Sequence, residues 1–344
     1  MKGKEQIDMT EQPNKKLFSF GSKLLACILL LLIVFVCSMK LGAAQTSWHD
    51  IWLSFTDSSD KNALLLKEIR MPREVGAVLV GAALAISGAI MQGMTRNPLA
   101  DPGLLGLTAG ANAALAIALA FIPSINYFGI MTACFIGSAA GALFVFGIAS
   151  AKRGGFSPIR LILAGAAVST FLFAIAEGVG LYFKISKNTS MWTAGGLIGT
   201  TWTQLQTIAP VILAGIFMAI LLSRQLTLLS LNEEVAIGLG QNTFKVKVML
   251  FIIIILLAGA AVALAGNLAF VGLMIPHIVR AIVGTDYRFI IPFSAAAGGT
   301  FMLLADILGR TLQAPFETPV AALVAIIGLP FFLLIVRRGG RAFS

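Results

Sequence analysis

Three arginines stand out in a chain with few charges. Arg70 and Arg73 precede one long apolar run, and Arg310 follows another. A guanidinium is a planar fork that pairs bidentately with carboxylates. The trio therefore suits an acidic docking partner or an anionic ligand, although snorkelling at helix ends would place arginines there too. Glu177, His277 and Asp306 fall inside apolar runs. Charge at membrane depth is costly and turns to an interior or a water-filled cavity. Asp306 and Arg310 are four apart and can pair along one helix face. His277 follows Pro276 and reads as a packing and hydrogen-bonding residue. Glu177 could line a cavity or lie near the outer end of its helix.

Several chemistries have no residues to carry them. The chain has no G-x-x-x-x-G-K-[ST] phosphate loop, no H-E-x-x-H and no G-x-S-x-G. It has two histidines, His49 and His277. Its three cysteines, Cys27, Cys37 and Cys134, lie in apolar runs without metal or disulfide spacing. An enzyme reading lacks a nucleophile–base pair or a metal set, and no cofactor is expected.

The elements that must position these residues are membrane helices. The chain has 344 residues, of which 58% are hydrophobic and 12% charged. Mean hydropathy is +0.92. A soluble chain would carry about 25% charged residues. The net charge of +10 would suggest nucleic acid in a soluble protein; here the basic residues sit between apolar runs and report the positive-inside rule. The fold class is an all-α polytopic membrane protein of about ten spans. They are expected near 23–41, 71–94, 104–122, 127–150, 160–183, 207–223, 248–265, 267–283, 291–309 and 320–336. Residues 1–22 read as an irregular cytoplasmic tail, 23–336 as the membrane domain and 337–344 as a basic cytoplasmic tail. The run from Leu24 to Met39 is at the upper limit of a signal-peptide core, and with more spans following it reads as a retained first span. With the N-terminus inside, seventeen of the twenty-five Lys and Arg residues fall on the inner side. Both termini are thus expected to be cytoplasmic.

Three further stretches invite a functional reading. On a helix, Arg70, Arg73, Gly81, Ala85, Gly88 and Gln92 share one face. From Arg73 to Gln92 the rise is roughly 29 Å, a bilayer core. This stripe is expected to line a transport path, although small residues also allow close helix packing. The connector 224–247 contains LNEEVAIGLG. There Asn232 can cap a short helix, Glu233 and Glu234 suit its N-terminal end, and Gly238 and Gly240 can stop it. Such a helix suits a partner that pushes on the membrane domain, or one resting on lipid. The turns at Asn97–Asp101 and Ser157–Pro158 start new helices and could also constrict the inner end of a path.

Read together, these segments resemble the FecCD-type permeases, membrane subunits of importers for iron–siderophores, haem and vitamin B12. The resemblance rests on IRMPR (69–73), GAALAISGAIMQ (81–92), RNPLADPGLLG (96–106) and RLILAGAAVS (160–169). It continues through EEVAIGLG (233–240), FVGLMIPHIVR (270–280), LLADILGR (303–310) and GLPFFL (328–333). They cover nearly all of the chain after about residue 40, in the family's order. The resemblance implies a type II ABC importer permease of ten helices in the bacterial cytoplasmic membrane. It implies a second permease subunit, two ABC ATPase subunits and an extracytoplasmic binding (lipo)protein. By position, Arg70, Arg73 and Arg310 match outer arginines that dock glutamates of that protein. Asn232, Glu233, Glu234, Gly238, Leu239 and Gly240 match the helix that fits the ATPase. Asn97 and Leu99 match one cytoplasmic gate; Ser157 and Pro158 match the other, where Pro158 replaces an expected hydroxyl. A ferric siderophore is the expected cargo, with haem or vitamin B12 as alternatives. A self-contained ion-coupled transporter is the competing class; it would need Glu177 and Asp306 as its ion site.

Overall fold

A computed structural model describes residues 11–42, 46–56, 60–150 and 158–338, and among them every regular element is helical. The first helix, α1, spans Glu11–Lys40, so residues 11–22, expected as an irregular tail, are its first turns. Outside the bundle lie α2 (Trp48–Thr56) and α3 (Lys61–Leu65). A π-turn, Leu66–Arg70, runs without a break into α4 (Met71–Thr95). A 3₁₀ turn, Pro102–Leu105, leads to α5 (Leu107–Phe121), α6 (Tyr127–Ser150) and α7 (Pro158–Tyr182). The short α8 (Ser186–Thr193) precedes α9 (Trp202–Leu221). The connector folds as α10 (Ser223–Leu231) and α11 (Glu233–Gly238). Then come α12 (Thr243–Ala265), α13 (Val271–Val283), α14 (Tyr287–Thr311) and α15 (Val320–Arg338).

Seven of these helices are long and apolar enough to cross a membrane, and three shorter apolar helices, α5, α13 and α15, join them. Together they account for the ten expected passes. The eighth differs from expectation, because only Val271–Val283 of 267–283 is helical. Gly266 takes φ +70° and ends α12, and the chain turns back as irregular backbone before α13 begins. Irregular backbone at membrane depth is tolerated only inside protein or along a cavity; in this segment Gly266 and Leu268 are buried while Asn267 and Ala269 are exposed. Span six begins earlier than expected. Gln204 N donates to Thr201 Oγ1, and Thr201 N donates to Gln204 Oε1 at 3.0 Å, a capping box that starts α9 at Trp202.

The centre of the bundle is α4, 83% buried along its span, against 6% for α1. It lies against α14 along one side and α12 and α13 along others. Glycine makes this possible. A Cβ on Gly81 would lie 2.2 Å from Gly298 O, and one on Gly88 would lie 1.7 Å from Gly272 O. The helix backbones touch directly, as small-residue contacts in membranes allow. The opposed pair Gly110 and Gly137 repeats this between α5 and α6.

Gly88→Ala should therefore force α4 and α13 apart and cost more than the roughly 1–3 kcal/mol of ordinary overpacking. Gly147→Ala, where nothing lies within 4 Å, should be neutral or slightly stabilising. Thermal unfolding of the two purified variants in detergent checks this; equal midpoints would refute the close contact.

Candidate functional site

One end of the bundle carries the three arginines, and the other carries the connector. At the arginine end, Arg73 faces two carboxylates. Its Nε and Nη2 donate to Asp306 Oδ1 at 3.0 and 2.9 Å. Nη1 and Nη2 donate to Glu317 at 2.8 and 3.0 Å. Arg310 Nη2 donates to Glu74 Oε1 at 2.6 Å and to Ser38 Oγ at 2.7 Å. Its Nε lies 3.0 Å from Asp306 Oδ2, the four-residue pair expected along α14. Ser38 Oγ in turn donates to Glu74. Arg70 Nη1 donates to Met39 O at 2.7 Å and to Thr46 Oγ1 at 2.9 Å. This side chain lies against Gly42, where a Cβ would come 2.8 Å from Nη2. The π-turn rotates Arg70 away from Arg73, so one clamps the end of α1 while the other reaches α14.

Arg73 and Arg310 thus meet Glu74, Asp306 and Glu317, and with Arg70 set beside them on the carbonyls that end α1 the formal charges balance among the described residues. The cluster ties α1, α4, α14 and the loop before α15 together. The arginines are only 4–7% exposed, which corrects the expectation of free cations presented outward. In a membrane domain a guanidinium that reaches no water must be neutralised inside the chain. Sequence reasoning missed Glu74 and Glu317. Glu74 sits one turn after Arg70, but its partner is 236 residues away, and no spacing rule reveals that.

The stripe expected to line a path is also corrected. Gly81 and Ala85 pack on Gly298 of α14, and Gly88 on Gly272 of α13. Gln92 is buried and its Nε2 donates to Gly272 O at 3.3 Å and Leu273 O at 3.2 Å. The cause lies in α13. Pro276 has no N–H, so Gly272 O lacks its helical partner, and Gln92 supplies the donor. Arg280 donates to Gln92 Oε1. This face of α4 looks into its own bundle.

The connector end is built as its sequence suggests. Asn232 Oδ1 accepts from Glu234 N at 3.0 Å and caps α11. The hydrogen bond from Lys247 Nζ, at 2.6 Å, holds the Glu233 carboxyl below its ordinary range. Gly240 takes φ +81°, a conformation that strains any residue with a side chain. Leu231, Val235, Ile237, Leu239 and Phe244 are all exposed. Beside them lies the turn after α4. Arg96 takes φ +51°, and Asn97 Oδ1 accepts from Leu99 N at 3.0 Å; both Asn97 and Leu99 are half-buried. Pro158 is the first residue of α7, and Ser157 lies outside the described residues.

Asp306→Ala would leave Arg73 and Arg310 short of their shared carboxylate, so it should destabilise the bundle by about 3–5 kcal/mol. Membrane-inserted yield and the unfolding midpoint in detergent measure this. An unchanged midpoint would mean the cluster does not hold the helices together.

Comparison with known proteins places this architecture. The FecCD transport family model matches residues 30–338. The iron(3+)-hydroxamate import system permease protein FhuB of Bacillus subtilis is 43% identical over 320 residues, covering 92% of this chain and 83% of that one. The hemin transport system permease protein HmuU of Yersinia pestis is 38% identical, covering 90% and 94%. Among solved structures, an inward-facing metal-chelate type ABC transporter superposes with a TM-score of 0.82. It is 28% identical and covers 92% of this chain and 99% of that one. With the family model matched along most of its length, relatives above 30% identity and a superposing permease structure, this chain belongs to the FecCD transport family and is the permease component of an ABC importer.

Proposed function

We propose that the chain translocates a ferric siderophore delivered by an extracytoplasmic binding protein to the arginine end. Two copies, or this chain and a paralogue, would enclose the path, and two ATPase subunits would engage the connector end. Both termini would then be cytoplasmic. The observation that supports ATPase coupling most directly is α11. It is a six-residue capped helix too short to span, with Val235 and Ile237 exposed on it and Leu239 just beyond. Apolar side chains clustered outside the spans mark a contact with another protein. The siderophore is favoured because relatives at 43% and 40% identity are named as iron(3+)-hydroxamate and iron-uptake permeases. The hemin permease at 38% keeps haem as the second reading.

With the α4 stripe buried, the path is better sought on α7. Its exposed positions include Ala167, Thr170, Ala174 and Glu177, which recur at helical spacing on one face. A carboxylate facing hydrocarbon is strongly disfavoured. Glu177 therefore supports a face turned to a partner subunit or to water.

Cysteines at 167, 170 and 174 should react with aqueous thiol reagents in step with the ATPase cycle, whereas a cysteine replacing the buried Ser87 of α4 should not. Reactivity at 167–174 no greater than at lipid-facing 29 and 33 would remove α7 from the path. At the connector, Gly240→Val should add strain of about 1–2 kcal/mol, and Leu239→Asp should weaken ATPase association. The measurement is iron-chelate uptake against ATP hydrolysis in proteoliposomes. Normal uptake per ATP in both variants would count against the coupling role. Growth of a deletion strain on single iron sources identifies the cargo.

A further inference from the structure

Among the described members of the charge cluster at the arginine end, Glu317 is the most exposed. Side-chain exposure is 0% for Asp306 and Glu74, 5% for Arg310 and 9% for Arg73, but 30% for Glu317. Glu317 is also the one carboxylate of the cluster that is not on a helix. It stands in the segment between α14 and α15, where Thr318 N donates to Gly309 O at 2.9 Å and Phe316 N to Gln313 O at 2.9 Å. The ring of Phe316 beside it is 77% exposed, and Leu312 is exposed as well. Buried Asp306 holds Arg73 through Nε and Nη2, while Glu317 takes Nη1 and the remaining edge of Nη2.

We propose that Glu317 is an exchangeable carboxylate, a built-in occupant of the outer edge of Arg73 that gives way to a carboxylate of a protein docking on the exposed Phe316 and Leu312. This rests on the reading that a protein partner docks at the arginine end. The physics is an exchange of like for like. Losing Glu317 leaves the cluster with a net positive charge and two open N–H groups in a fork that fits one carboxylate. An incoming acid restores both the charge and the hydrogen bonds, and the Arg73–Asp306 half need not move. The pair being broken is part-exposed and therefore weak, whereas the deeper pairs of Arg310 are not reachable. Uncovered aromatic and aliphatic side chains beside the exchange point supply the apolar anchor that such contacts favour. The expected partner surface is an acidic side chain at the rim of an apolar recess.

The test uses the purified permease alone, so it does not depend on the cargo. Arginine modification by phenylglyoxal is followed peptide by peptide in the unaltered protein, in Glu317→Ala and in Glu317→Gln. Arg73 should react about fivefold faster in Glu317→Ala, the upper end of what a part-exposed ion pair protects, and to an intermediate degree in Glu317→Gln. Arg310 should stay as slow as before. A short glutamate-bearing peptide should slow Arg73 modification in Glu317→Ala, and its glutamine counterpart should not. Unchanged Arg73 reactivity overturns the proposal, as does equal protection by both peptides. A parallel rise at Arg310 also overturns it, because it makes Glu317 a strut of the fold. Failure of iron-chelate uptake in the unaltered protein would bear on the cargo and leave these outcomes as they stand.

Discussion

Direct backbone contact between α4 and its neighbours is the constraint from which the rest of the bundle follows. In a bilayer, apolar side chains gain little by leaving lipid for protein, so helices associate through close packing and polar contacts. Gly81 against Gly298 and Gly88 against Gly272 bring α14 and α13 onto α4 at van der Waals distance. Once they are there, polar groups on α4 lie within reach of theirs. Arg73 meets Asp306, Glu74 meets Arg310, and Gln92 meets the carbonyl that Pro276 leaves open. The glycines and the polar groups are two halves of one arrangement, steric approach in the middle and charge satisfaction towards the ends.

The arrangement gives the two ends of the chain different physical characters. The arginine end is electrically closed, with Arg73 and Arg310 neutralised by their own carboxylates and bridging four segments of chain. The connector end is open: α11 is capped by Asn232 and tethered by Glu233 to Lys247, yet its apolar side chains are uncovered. One end is thus tied together by paired charges, whereas the other presents a short capped helix with uncovered apolar side chains.

The small-residue stripe of α4 and the outer arginines show how one pattern serves two structures. Gly81, Ala85 and Gly88 at helical spacing can mark a smooth wall or a helix–helix seam, and the distinction is which way the face points. Likewise Arg70, Arg73 and Arg310 near span ends can be free cations or buried ones. In both cases the buried alternative holds, because each group has a complementary partner more than 180 residues away: Gly298, Gly272, Asp306 and Glu74. Arg70 is the local exception, held by carbonyls at the end of α1.

The sequence by itself determined what depends on composition and short-range spacing: an all-helical membrane chain, about ten passes, the family, the Asn232 cap, the Asn97 turn and the Asp306–Arg310 pair. These rest on interactions within one helix or one turn, which adjacent residues encode. Only the tertiary structure decided the broken eighth pass, the helical start of α1 in residues 11–22, the unbroken run through the π-turn into α4, and the inward face of α4. It alone also decided the identity of the carboxylates that silence the arginines. Each of these depends on which distant backbone approaches closely enough to exclude lipid and to share a proton or a charge. That is a property of the packed bundle, and no stretch of ten or twenty residues contains it.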